Sequence, residues 1–449
     1  VYSLLERSGA MRSTRKDIVL HSERLTGGAT RSEQAESIDF FARLAEDDIL
    51  PKRIDDQLIN IFISTARDKR RVLAVRENAL NVLVKVLGRR STSLTHDLVD
   101  KGTIGVLAEI IVGRSDELRA SSALAARHIA DCCADCRADL SVAGVVTSIM
   151  KQLRDGGFDA SGEAARGAVG VITAFVLKLS KDEWVLPEVA RELMIPALAR
   201  TLHRLGADDD DIGKMSLAVL LKISYYDGWT LRHRKLLKNY LVAVIASDKR
   251  QLARLALQLM HRLTQQASTA QKASLIARPD VMLHLAQWVQ WPDDVAVPAE
   301  GVLRCISWQS AEDLGDVVLA NPALICALAA TIRPEQGWKG GGAVAILMKI
   351  LEGLTAEGPT TESQHLLGFG FLPRVVAYVA DLDEDDSIVE ITRPALYSVL
   401  AAHPEWSRQL HEAGASLPPL QLAIRLRAER EPQQYIVMDE QCDDILENH

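Results

Sequence analysis

One phrase recurs along this chain at a spacing that excludes most folds. Leu98-Val99-Asp100-Lys101-Gly102-Thr103-Ile104-Gly105-Val106-Leu107 returns as Leu140-Ser141-Val142-Ala143-Gly144-Val145-Val146-Thr147-Ser148-Ile149. Further copies end at Leu198, Ile245, Leu285, Leu328, Val375 and Leu420, and a weaker one lies near Ile61. The shortest interval is 40 residues, from Ile245 to Leu285, and the longest is 49, from Ile149 to Leu198. Self-similarity at such a period marks stacked units, each too small to bury its own apolar face. Neighbouring units must bury it, so one core runs along the whole array. A chain of 449 residues is in any case too long for one compact core of ordinary size.

Between the phrases sits a second element, a small-residue helix ending in an aliphatic. It reads Ala125-Ala126-Arg127-His128-Ile129, then Ala168-Val169-Gly170-Val171-Ile172, and later Val302-Leu303-Arg304-Cys305-Ile306. Small side chains let helices approach closely. The low aromatic content, 5%, within 48% apolar residues suits helix-on-helix packing.

Ile195-Pro196-Ala197-Leu198 and Leu372-Pro373-Arg374-Val375 are similar to the phrase that opens a helix in armadillo repeats, where proline at the first turn loses no hydrogen bond. Over about residues 50 to 425 the chain resembles that family. The resemblance implies an all-α, right-handed α-solenoid of about eight to nine repeats. Each repeat is expected to hold two helices, a glycine and a longer third helix, with the third helices lining a concave face. Residues 1–34, rich in Ser, Thr, Arg and Gly, are expected to be a mobile leader. The solenoid is expected over 35–431, followed by an acidic tail over 432–449.

The net charge of −8 argues against a general nucleic-acid binder. No apolar run reaches the roughly 18 residues that span a bilayer, so no membrane insertion is expected. The six cysteines show no framework of paired spacings, which favours a reducing compartment, the cytoplasm or the nucleus.

Three clusters invite a chemical reading. His128, Cys132 and Cys136 fall at i, i+4 and i+8 of one helix, but two helical turns separate the outer pair too widely for one ion. Close-packed core cysteines are the expectation there. Gly337-Trp338-Lys339-Gly340-Gly341-Gly342 lacks the order of a phosphate loop and reads as a flexible insertion. Asp208 to Asp211 lack the spacing of a calcium loop and read as solvated. No hydrolase, metalloprotease or dinucleotide motif occurs. We therefore expect no catalytic residue, no cofactor and no metal site.

The groove carries the remaining information. Peptide-binding armadillo proteins place an asparagine just before the final aliphatic of the second helix of the repeat, and the ladder clamps an extended peptide. Here that position holds His128, Val171, Lys222, Arg262, Cys305, Lys349 and Val399. The asparagine ladder is absent. Lys222, Arg262 and Lys349 instead suit an acidic partner segment, and the chain's own tail, with Asp439-Glu440 and Asp443-Asp444, is a candidate occupant. Glu109, Lys151, Arg200, Ser247 and Gln287 form a second list of exposed positions, with Trp288 and Trp291 beside them. The expected function is a scaffold or adaptor for a protein partner. The alternative is a chaperone-like or regulatory factor clamping a globular partner, as Hsp70 exchange factors, small-GTPase regulators and myosin chaperones of similar architecture do.

Overall fold

A computed structural model describes residues 9–51, 54–89, 91–158, 162–178, 188–206, 208–225, 231–267, 278–333, 339–380, 382 and 386–406. Among them every regular element is helical. They fall into two units, Val1–Tyr226 and Asp227–His449. The first contains α1 (Gly9–Thr26), α2 (Arg31–Glu46), α3 (Asp56–Arg67), α4 (Leu73–Leu87), α5 (Thr92–Asp100), α6 (Thr103–Ile111), α7 (Asp116–Cys132), α8 (Ala134–Val142), α9 (Val145–Asp155), α10 (Gly162–Lys178), α11 (Glu188–Thr201) and α12 (Asp210–Ser224). The second contains α13 (Leu231–Ile245), α14 (Arg250–Gln265), α15 (Pro279–Val289), α16 (Asp293–Ser307), α17 (Ala311–Leu319), α18 (Pro322–Thr331), α19 (Gly341–Thr355), α20 (Thr361–Leu367), α21 (Leu372–Ala380) and α22 (Ser387–Ala402).

The helices form layers within each unit. In the first, α2, α4, α7, α10 and α12 pack in succession. Against them lies a second stack of α3, α6, α9 and α11. In the second unit α14, α16, α19 and α22 stack likewise, beside α13, α15 and α18. The repeated phrase accounts for the junctions between elements. Gly102 and Gly144 precede α6 and α9 with φ of 85° and 73°, a left-handed conformation that costs glycine little. Ser91, Ser115, Ser310 and Thr360 cap other helices with side-chain oxygens that accept a backbone N–H. Within each unit the described residues thus form an all-α, solenoid-like stack of helical repeats.

The register holds. Leu107, Ile149, Leu198, Ile245, Leu285, Leu328 and Val375 are all buried, each at 1% exposure or less; Leu420 lies outside the described residues. Two expectations need correction. The helix after the glycine phrase is not the longest of its repeat. α6 and α9 have 9 and 11 residues, whereas α7 and α10, which follow them, have 17 each. The long helix carries the small residues, because it packs against two long neighbours at once. Pro196 also sits inside α11 rather than in its first turn.

Helical order begins earlier than the boundary at residue 34. α1 covers much of the expected leader, and α2 starts at Arg31 behind a capping box in which Thr30 and Glu33 exchange bonds. Leu25 is buried, and His21 Nδ1 lies 3.0 Å from Ser37 Oγ across the α1–α2 contact. The acidic tail lies outside the described residues.

The acidic run is structural too. Asp209 caps α12, accepting from the Asp211 and Ile212 N–H groups. Burial raises its pKa, but these bonds and Arg166 outweigh that and hold it below the usual carboxylate value.

Candidate functional site

The position expected to line a groove is not uniform. Val171 and Val399 are fully buried and belong to the core. His128, Lys222, Arg262, Cys305 and Lys349 are half-buried. Lys222 and Arg262 lie in the last turns of α12 and α14. Lys349 lies earlier in α19, and its Nζ donates to Ser307 O at 3.3 Å, satisfying a terminal carbonyl of α16. Burial and the Arg262 charge together hold the neighbouring His261 below the ordinary histidine value.

The second list lies on the other layer. Glu109 is on α6, Lys151 on α9, Arg200 on α11 and Gln287 on α15, with Ser247 just after α13. The two lists therefore do not share one face. Glu109 also has a partner, since Arg67 of α3 reaches it at 2.6 Å. Gln287 Oε1 lies 3.1 Å from His284 Nδ1. Lys151 is exposed and Arg200 half-buried.

Sequence reasoning missed the polar links at the joints of the stack. Asn78 of α4 donates to Asp39 of α2 at 3.2 Å, and Ser121 of α7 donates to Asn81 of α4 at 2.8 Å. Arg166 of α10 meets Asp209 at 2.9 Å. In the second unit Arg250 of α14 meets Asp294 of α16 at 2.7 Å. The partners are 39, 40, 43 and 44 residues apart. A search for complementary side chains one period apart would have found them.

Beside Arg250 stands an aromatic pair. Trp288 is buried and its Nε1 donates to Ile245 O at 2.7 Å. Trp291, 46% exposed, leans on it with ring centroids 5.1 Å apart. The Arg250 guanidinium lies 6.0 Å from the Trp291 ring centroid. Lys339 bonds the Trp291 carbonyl at 3.4 Å and pairs with Asp293 at 2.8 Å. The exposed ring is thus fixed from two sides.

The glycine-rich segment is not a plain loop where it is described. Gly340, at φ 95°, precedes α19, and no side-chain cap bond is made there. Glu300 of α16 takes that role, accepting from Gly342 N–H and from Arg304 Nε. A Cβ on Gly342 would come within 2.7 Å of Leu303 Cβ, so glycine permits the approach of α16 and α19. Glu300 is 3% exposed, and among the described residues its Oε2 has no hydrogen-bond partner. Burial raises its pKa against the lowering effect of its donors. The Tyr378 hydroxyl is pushed up to about 12, by burial first and by the Glu300 charge second.

The cysteines are arranged differently from the expected single helix face. α7 ends at Cys132, and Cys133 adopts extended backbone between α7 and α8. Its Sγ accepts from Cys136 N–H at 3.0 Å, the role a serine plays elsewhere in this chain. The turn joins Cys133 and Cys136 as a disulfide, so one cysteine pair does exist. The third member of the cluster is His96 of α5, whose Nε2 lies 3.3 Å from Cys133 Sγ. His128 and Cys132 are not part of it. Among the described residues, no helix is long and apolar enough to cross a membrane.

No family model matches the chain, and no curated protein does. Solved structures do. An engineered protein is similar over 89% of this chain and 92% of its own, with 14% identity and a TM-score of 0.51. A designed armadillo repeat protein matches 55% of this chain and 99% of its own, with 16% identity and a TM-score of 0.42. A computationally designed armadillo repeat protein for modular peptide recognition covers the same shares, with 17% identity and a TM-score of 0.43.

Proposed function

We propose that this chain is a non-catalytic scaffold that binds a protein segment on the surface of its stacked helices. The observation that carries the reading is Trp291. Its ring is half exposed yet held by Trp288 beneath and Arg250 beside it. A fixed aromatic loses little conformational freedom on binding, and tryptophan and arginine are the residues most enriched in interface hot spots. The partner segment inserts an apolar side chain against Trp291.

A display library of extended peptides, selected on the wild-type chain, tests this. Trp291→Ala should weaken the selected peptides about tenfold or more, a loss of about 1.4 kcal/mol. Failure to enrich any peptide, or peptides indifferent to Trp291, would remove the basis of the reading.

A further inference from the structure

We propose that His96, Cys133 and Cys136 hold one zinc ion in the reduced chain, and that closing the Cys133–Cys136 disulfide releases it. Their donor atoms all lie within 4.8 Å of one another. The histidine comes from one repeat and the two cysteines from the next. The ring of His96 approaches both sulfurs, with Nε2 3.3 Å from Cys133 Sγ and Nδ1 3.9 Å from Cys136 Sγ. A tetrahedral ion bonded at about 2.0 Å to nitrogen and 2.3 Å to sulfur sets a nitrogen–sulfur edge of about 3.5 Å. From one ring nitrogen, Nδ1, the two sulfurs stand at 4.0 and 3.9 Å, a little beyond that edge; once reduced, the sulfurs part to the roughly 3.8 Å that a tetrahedral ion sets between them, and rotations of three side chains complete the set.

The surroundings suit thiolates. Cys133 and Cys136 are each 1% exposed, while His96 is half-buried at the rim, so the donors are sheltered yet open on one side. Cys133 caps the N-terminus of α8, where the helix dipole and the Cys136 N–H both favour a charged sulfur. Two thiolates and one imidazole are a donor set that selects zinc over hard cations such as magnesium or calcium. The fourth corner is left for water.

The disulfide is the competing state of the same two sulfurs. Its formation from the zinc-bound pair takes two electrons from the thiolates. Hydrogen peroxide supplies the acceptor: it takes those two electrons and two protons and leaves as two waters. The products are the Cys133–Cys136 disulfide and a free zinc ion.

The test uses the full chain, reduced with a phosphine and freed of metal. Zinc titrated against a chromophoric chelator should bind one per chain with a sub-micromolar Kd. Cobalt substituted for zinc should give tetrahedral d–d bands and sulfur-to-cobalt charge transfer. Cys133→Ser keeps a capping oxygen, so the fold is retained; it, Cys136→Ser and His96→Ala should each weaken zinc about a hundredfold or more, with Cys132→Ser as the unaffected control. Peroxide should release the zinc with loss of two thiols. Cobalt spectra on the wild type decide the matter even if a variant unfolds. No zinc uptake after reduction, octahedral cobalt spectra, or binding that survives in a folded Cys136→Ser or His96→Ala chain would each overturn the proposal.

Discussion

Two joints between stacked long helices solve one problem in opposite ways. At the α4–α7 joint the polar link is Asn81 with Ser121, both half-buried and neutral. At the α16–α19 joint it is Glu300, a charge almost wholly removed from water, reaching the first turn of its neighbour. The first joint adds a hydrogen bond to packing that stands without it. At the second, packing and bonding are inseparable. Gly341 and Gly342 lie against Arg304 and Leu303 of α16, the cap position is Gly340, which has no side chain, and the neighbour's carboxylate caps α19 instead. The lesson is that repeats of similar outline need not be equally tolerant of change.

The largest effect should come from breaking the buried link. Glu300→Ala leaves the Gly342 N–H without its acceptor and a gap where a buried side chain stood, and should cost about 2–4 kcal/mol, read as lost amide-exchange protection in α16 and α19. Gly342→Ala follows, at about 1–3 kcal/mol from overpacking, while Gly105→Ala should be tolerated, since nothing lies within 4 Å of its Cβ position. Acidification gives a third measure. The folded-state pKa of Glu300 lies above its unfolded value. Its contribution is therefore fully present below the unfolded pKa and lost as pH rises through the folded one. The stability of wild type relative to Glu300→Gln should rise as pH falls from neutral toward the ordinary glutamate range; a flat difference would contradict the burial argument. Smallest of all, Asn81→Ala or Ser121→Ala should cost about 1 kcal/mol or less, and a double-mutant cycle should return a coupling of similar size.

Much of the fold was legible because burial repeats. A period of 40 to 49 residues, marked by aliphatics, located seven core positions without error. What periodicity misses is chemistry that crosses from one repeat to the next. Glu300 sits mid-helix in a sequence context that gives no sign of burial, since its burial is caused by glycines some 40 residues later. The cysteine run reads as continuous helix because cysteine is a tolerable helix residue; only the cap bond from Cys136 N–H to Cys133 Sγ breaks it. His96 could not be assigned for the same reason, being a repeat away. The groove list failed at Val171 and Val399 because a fixed position along the sequence does not fix a position around the helix when helix starts vary. Trp291 and Trp288 look alike in sequence, and only the bond to Ile245 O separates the buried ring from the exposed one.

The bonds named above that tie one repeat to the next span from 37 residues, His96 to Cys133, to 48, Lys339 to Trp291. That range has a kinetic meaning. A ribosome adding about 5–20 residues each second delivers both partners of such a bond within about 2–10 seconds of one another. Each joint can close while the next repeat is still being made, so the array has no need to wait for its far end. Contact order stays low in a long chain, which favours fast local folding. The growing edge is the exception. Until the next repeat emerges, the last one made presents its apolar face to solvent, and in this chain the vulnerable species is the partly synthesised array rather than the finished one.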